Sequence, residues 1–166
     1  MTRWLLCLLA LAGAAFGACA APGYCDGPTC ACFDEPSCAV DCEVEGCAIE
    51  CASTDECLAS CLDGCSYACH DTPRCEIDCG ADCTIDCRQH SSCAARCGPR
   101  CDYTCESASA CQVTVGDGSV ARCSMFGSCD VTCTGACAVE CPQGGCQVHC
   151  AVGAPIIGDG VIDCAG

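Results

Sequence analysis

The chain contains no lysine; its six basic residues are all arginine, set against 22 Asp and Glu. A formal net charge of −16 excludes a nucleic-acid binder, whose phosphate contacts need cations, and excludes electrostatic docking on anionic lipid. The acidic excess reads as a solvated surface. Aromatic residues make up 4% of the sequence, so a large core of bulky rings is not available. No apolar run reaches the roughly 20 residues that a membrane-crossing helix needs. Nucleophile elbow, phosphate loop and paired-histidine motif are missing too. His70, His90 and His149 stand alone in the sequence and read as solvated side chains. The expectation is a non-enzyme without a cofactor or a resident metal.

What the chain does have is cysteine: 30 of 166 residues, far above the level that marks a disulfide scaffold. From Cys57 to Cys105 the cysteines fall at 57, 61, 65 and 69, at 75, 79, 83 and 87, and at 93, 97, 101 and 105. Equivalent positions are 18 residues apart. Each unit reads C-x-Φ-x-C, a three-residue spacer, C-x-Φ-x-C and a five-residue spacer, Φ being Val, Ile, Ala or Tyr. Alternation with a period of two means strand. In Cys75-Glu76-Ile77-Asp78-Cys79 the cysteines share one face with Ile77, and the two acids share the other. Each unit therefore offers two short strands separated by polar or Gly-containing turns. A unit this small cannot bury its face alone, but stacked copies can. The fold class predicted is all-β: a disulfide-laddered β-solenoid of 18-residue coils with two short strands per coil. A disulfide-rich antiparallel meander is the alternative.

The Φ positions support two strands facing each other within a coil. Ala59 is matched with Tyr67 and Ala95 with Tyr103, while Val40/Ile49, Ile77/Ile85 and Val131/Val139 are of middling size, so the volume between the layers stays even. The outward columns suit a parallel stack. One runs Asp41, Ser60, Asp78, Arg96, Thr114, Thr132, His149 and another Glu50, Ala68, Asp86, Thr104, Arg122, Glu140. Neither column places two acids on adjacent coils, where like charges would repel.

Two apolar side chains per coil cannot order 18 residues, so the cysteines are read as structural cross-links. In the unit from Cys111 to Cys123 both middle cysteines are replaced, by Val115 and Ser119. Their joint loss predicts that the equivalents pair: Cys61 with Cys65, Cys79 with Cys83, Cys97 with Cys101, and Cys133 with Cys137. Cys69 could join Cys75 across the five-residue turn or Cys57 in its own coil. Cys150 with Cys164 is a candidate closing bond.

The organisation expected is a signal peptide over 1–18, a tether and irregular N-terminal cap over 19–37, the solenoid over 38–150, and a C-terminal cap over 151–166. Met1-Thr2-Arg3, then the apolar stretch Trp4–Phe16, then small residues form the plan of an export signal. Export to an oxidising compartment fits the cysteine load. In the C-terminal cap, Val161-Ile162-Asp163-Cys164 reads as a final half-unit with Gly160 in place of its first cysteine.

Phe16-Gly17-Ala18-Cys19 resembles the bacterial lipobox, with Phe16 where that family usually has Leu, and the resemblance implies lipidation of Cys19. Ala18-Cys19-Ala20 also fits ordinary small-x-small cleavage. Without Cys7 and Cys19, 28 cysteines remain, an even number that can pair completely. Residues 38–150 resemble, in pattern, cysteine-rich C-x-[VI]-x-C repeat proteins of bacteria that often carry lipoprotein signals. The 18-residue coil is also similar to the β-roll of RTX proteins, but the calcium nonapeptide is missing. Disulfide-braced insect antifreeze proteins are a further likeness, though Thr84, Thr104, Thr114 and Thr132 are scattered rather than arrayed. The functional expectation is an exported, lipid-anchored, non-catalytic structural or interaction module of the cell envelope or surface. It would meet an unidentified protein, matrix or surface partner, and the membrane through the lipid only. The alternative is a secreted metallothionein-like metal binder, since thiolates favour soft metals.

Overall fold

The computed structural model describes residues 21, 22 and 24–165. The predicted signal peptide, Cys19 and its lipobox lie outside the described residues. Sixteen strands follow in chain order: β1 (Ala21–Pro22), β2 (Tyr24–Asp26), β3 (Thr29–Phe33), β4 (Cys38–Cys42), β5 (Ala48–Ala52), β6 (Glu56–Cys61), β7 (Ser66–His70), β8 (Arg74–Cys79), β9 (Thr84–Cys97), β10 (Asp102–Val115), β11 (Ser119–Ser124), β12 (Ser128–Cys133), β13 (Cys137–Glu140), β14 (Cys146–Cys150), β15 (Ile156–Gly158) and β16 (Val161–Cys164).

These strands wind into an all-β solenoid of about seven turns. One parallel face runs β1, β4, β6, β8, the second half of β9, the second half of β10, β12 and β14. The other runs β3, β5, β7, the first half of β9, the first half of β10, β11 and β13. The parallel register excludes the meander. It also aligns the sequence columns residue for residue, as in Asp41↔Ser60↔Asp78↔Arg96↔Thr114.

The inward set is the one the period-two pattern selects. Val40, Ile49, Ala59, Tyr67, Ile77, Ile85, Ala95, Tyr103, Val113, Ala121, Val131 and Val139 are buried in one cluster with the cysteines. Tyr67 and Tyr103 carry their hydroxyls into that core without a hydrogen-bond partner, and burial pushes both phenols well above the usual range.

Three features depart from the sequence reading. The five-residue spacers do not always interrupt the strands: β9 and β10 run through them, with Glu106↔Arg88, Ala108↔His90 and Ala110↔Ser92 in register. The spacer's second residue turns left-handed in each coil, from Ser53 (φ 56°) through Asp71, Gln89 and Ser107 to Met125 (φ 50°), which lets the ladder bend without breaking. Second, the region expected to be an irregular N-terminal cap contains β3, a regular strand in register with β5. Cys30 aligns there with Ile49, and Cys32 with Cys51. Cys30 thus fills a Φ position, so the spacing of two between Cys30 and Cys32 is still strand alternation. Third, the final half-unit does not add a parallel strand. β16 pairs antiparallel with β13 and with β15, closing that face by a hairpin turned at Asp159-Gly160.

Candidate functional site

Disulfides join the two faces along both turn edges. On the edge where the second face turns into the first, seven bonds follow one another: Cys32–Cys38, Cys51–Cys57, Cys69–Cys75, Cys87–Cys93, Cys105–Cys111, Cys123–Cys129 and Cys141–Cys146. Cys69 therefore crosses the five-residue turn to Cys75, and Cys57 is bonded to Cys51 of the preceding coil. The opposite edge carries Cys42–Cys47, Cys79–Cys83, Cys97–Cys101, Cys133–Cys137 and the closing Cys150–Cys164. Cys25–Cys30 clips the N-terminal hairpin.

Two rungs of that second edge are different. Cys61 and Cys65, expected to form a bond, are thiols. The turn between them, Leu62-Asp63-Gly64, has a left-handed third residue (Gly64, φ 72°), as do the bonded turns ending at Asp82 and Arg100. Local backbone form therefore does not separate this rung from its neighbours. Sulfur placement does: Cys61 Sγ lies 3.0 Å from Cys79 Sγ of the next coil, and the Cys65 thiol is 3.2 Å from the Leu62 carbonyl oxygen. The sulfurs of Cys61, Cys65, Cys79 and Cys83 all lie within 4.8 Å of one another and are buried. Burial raises the Cys61 thiol far above its ordinary value, and the neighbouring Cys65 and Asp78 push the same way. The Cys61 thiol is therefore protonated at neutral pH.

The second exceptional rung has no sulfur. Val115 and Ser119 are fully buried at the turn Gly116-Asp117-Gly118. The Cys101 amide donates to Ser119 Oγ at 3.0 Å, and the Ser119 hydroxyl donates to the Gly98 carbonyl at 3.4 Å. Two hydrogen bonds between coils thus stand where a bond within the coil stands elsewhere. The sequence marked this position as a missing bond but carried no sign of the hydroxyl's role. The stacked turns are close here: a Cβ on Gly116 would come within 2.6 Å of the Gly98 carbonyl carbon and of Pro99 N, which only glycine avoids.

Outside, arginines pair with acids on their own strand, on neighbouring strands and on stacked turns. Arg74 meets Glu56 at 2.8 Å and Glu76 at 3.1 Å, Arg122 meets Asp102 and Glu140, and Arg100 pairs with Asp82. The Asp82 carboxyl is held below the usual carboxylate range by that hydrogen bond. His149 Nε2 lies 3.4 Å from Asp130 Oδ1; His70 ends β7 and His90 lies within β9. A shallow groove of about 780 Å³ crosses the first face, floored by small residues such as Ala39, Ser60 and Ala94 and edged by Arg74, Asp78 and Arg96.

As chemistry, Cys61 and Cys65 are a buried dithiol against a disulfide. Among the described residues they are the cysteines able to become thiolate ligands, because all the others are disulfide-bonded. The disulfide content fits an oxidising, exported environment. No family model, no curated protein and no solved structure matches this chain.

Proposed function

We propose that the protein is an exported, non-catalytic structural or interaction module of the cell envelope or surface, held to a membrane by lipid on Cys19. The observation that carries this reading is the cross-linking itself: nearly every coil is tied to the next at its edges by short-loop disulfides. Such bonds stiffen a chain whose core has little apolar volume and make it resistant to unfolding and proteolysis. The outward columns are polar and net acidic, with acids spaced so that no two sit on adjacent coils, which suits display to a partner or matrix rather than burial in a second protein core. The test is membrane fractionation with intact mass. Wild-type protein should partition with membranes and carry acyl mass on Cys19, and Cys19→Ser should release it still folded. Wild-type protein that is wholly soluble, begins at Ala21 and lacks acyl mass would remove the anchor.

The four-sulfur grouping around Cys61 favours a second reading, a soft-metal binder using Cys61 and Cys65. Purified protein holding stoichiometric copper or zinc, lost when Cys61 and Cys65 are alkylated, would support it over the first.

A further inference from the structure

The two sulfur groupings on the interrupted edge share a member. Cys61, Cys65, Cys79 and Cys83 lie within 4.8 Å of one another, and so do Cys83, Cys97 and Cys101. A dithiol, a disulfide and a second disulfide are thus stacked on three consecutive coils. The next rung is Val115/Ser119, which holds no sulfur. We propose that Cys61 and Cys65 are an exchange-active dithiol whose reducing equivalents migrate along this ladder to Cys79–Cys83 and Cys97–Cys101, and stop at Val115/Ser119.

Each step balances without an outside oxidant. The Cys61 thiolate attacks Cys79 Sγ, its neighbour at 3.0 Å. The Cys61–Cys79 bond forms, the Cys79–Cys83 bond breaks, and Cys83 leaves as a thiolate that takes up the proton Cys61 gave up. Cys65 then attacks Cys61 Sγ, forming Cys61–Cys65 and releasing Cys79. One pair has been oxidised and the other reduced by two electrons. The freed Cys83, within reach of Cys97 and Cys101, repeats the sequence one coil further on. The count of thiols never changes, so each rung in turn is the open one.

The rate is set by how rarely the buried thiol ionises. The ionisable groups on the elements packed against Cys61 are Cys65, Asp63 in the turn, Asp41 on β4, Glu56 on its own strand, and Arg74, Glu76 and Asp78 on β8. The one cation among them, Arg74, is paired with Glu56 and Glu76 at the far end of the strands, and the groups that act on Cys61 are Cys65 and Asp78. Exchange proceeds through the thiolate, so it is faster in alkaline solution.

The experiment uses the native chain. The protein is used as isolated, with its Cys61/Cys65 thiols; only a preparation oxidised on handling is first given one equivalent of tris(2-carboxyethyl)phosphine to open one rung. After incubation at pH 9 without oxygen it is quenched in acid, denatured, alkylated with N-ethylmaleimide and mapped by peptide mass. Two labels per chain are expected, spread over Cys61, Cys65, Cys79, Cys83, Cys97 and Cys101 and missing from Cys133 and Cys137. Cys65→Ser removes the resolving thiol, so a peptide pair linked through Cys61 and Cys79 should accumulate. Val115→Cys with Ser119→Cys fills the gap, and label should then reach Cys133 and Cys137. Label that stays on one rung at every time point, or that scatters over all cysteines, overturns the proposal. So does passage to Cys133 and Cys137 in the unaltered chain.

Discussion

The two edges of the solenoid are built from the same residue and are not equivalent. The edge with the longer turns carries an unbroken series of disulfides from Cys32–Cys38 to Cys141–Cys146. The edge with the shorter turns has an open dithiol at Cys61/Cys65 and a sulfur-free rung at Val115/Ser119. The five-residue turns, with their left-handed second residue, carry the ladder from coil to coil: β9 and β10 continue through them, and the Gly127 amide donates to the Ala108 carbonyl at 2.9 Å. The shorter turns are bonded to one another as well: the Gly98 amide donates to the Gly80 carbonyl at 2.9 Å and the Gly116 amide to the Gly98 carbonyl at 3.1 Å. Backbone bonds, the Asp63 carboxylate accepting from the Ala81 amide, and Ser119 all cross-brace that edge. An edge braced between coils tolerates the loss of a bond within one coil.

Complete reduction should have the largest effect, because it removes both edges at once. The β-type circular dichroism should disappear, since the inward side chains are too few to order the chain alone. Retention of the signal after full reduction would mean that the backbone ladder suffices and that the edges are secondary.

Equal truncations on the two edges sharpen the contrast. Cys87→Ala with Cys93→Ala loses a cross-link worth about 2 kcal/mol in the chain-entropy model, together with buried sulfur volume. Cys61→Ala with Cys65→Ala loses volume only. The first double variant should be less stable than the second by about 2 kcal/mol in denaturant titration. Equal losses would show that the Cys61/Cys65 rung is closed in solution.

Crowding at the stacked turns comes next. Gly116→Ala should cost about 1–3 kcal/mol, because the turn below must move to admit the methyl group. Gly144→Ala, in a turn where a Cβ meets nothing within 4 Å, should avoid the clash and carry only the strain of its left-handed backbone (φ 69°). Similar losses at the two sites would remove the close-stacking account.

The pH dependence is the smallest effect near neutrality. Folding raises the pKa values of the Cys61 thiol and of the Tyr67 and Tyr103 phenols, chiefly by burial. Their protonated forms are favoured on folding, so this stability is fully present below the unfolded values, about 8.5 for cysteine and about 10 for tyrosine. Above those values the unfolded chain releases protons first, and stability falls as pH rises. Thermal melts should be flat in this respect from pH 6 to 8 and drop beyond pH 9. A melting point that rises through that range would contradict the burial of these groups.

The 18-residue period and the alternation within C-x-Φ-x-C made the coil, its inward residues and its outward columns readable, because each property repeats with the chain. The ends were less readable. β3 was hidden because Cys30 takes a Φ position, so its cysteines fall two apart instead of four. β16 was hidden because Val161-Ile162-Asp163-Cys164 alternates in the same way whether its neighbour runs parallel or antiparallel. The loss of two cysteines at Val115 and Ser119 was visible, but the hydrogen bonds replacing them depend on the height of the neighbouring coil, which no local pattern encodes. The open rung at Cys61/Cys65 was not legible at all: its spacing is that of Cys79/Cys83, and the difference lies in how sulfurs of adjacent coils approach.

The central claim is that one edge is a permanent lock and the other is not. Alkylation of the native protein's thiols under denaturing, acid-quenched conditions, followed by peptide mapping, tests it most directly. The account predicts two labels per chain, both on the edge that includes Cys61 and Cys65, and none on Cys69, Cys75, Cys87, Cys93, Cys105 or Cys111. Label on any of those six residues in folded protein would contradict it.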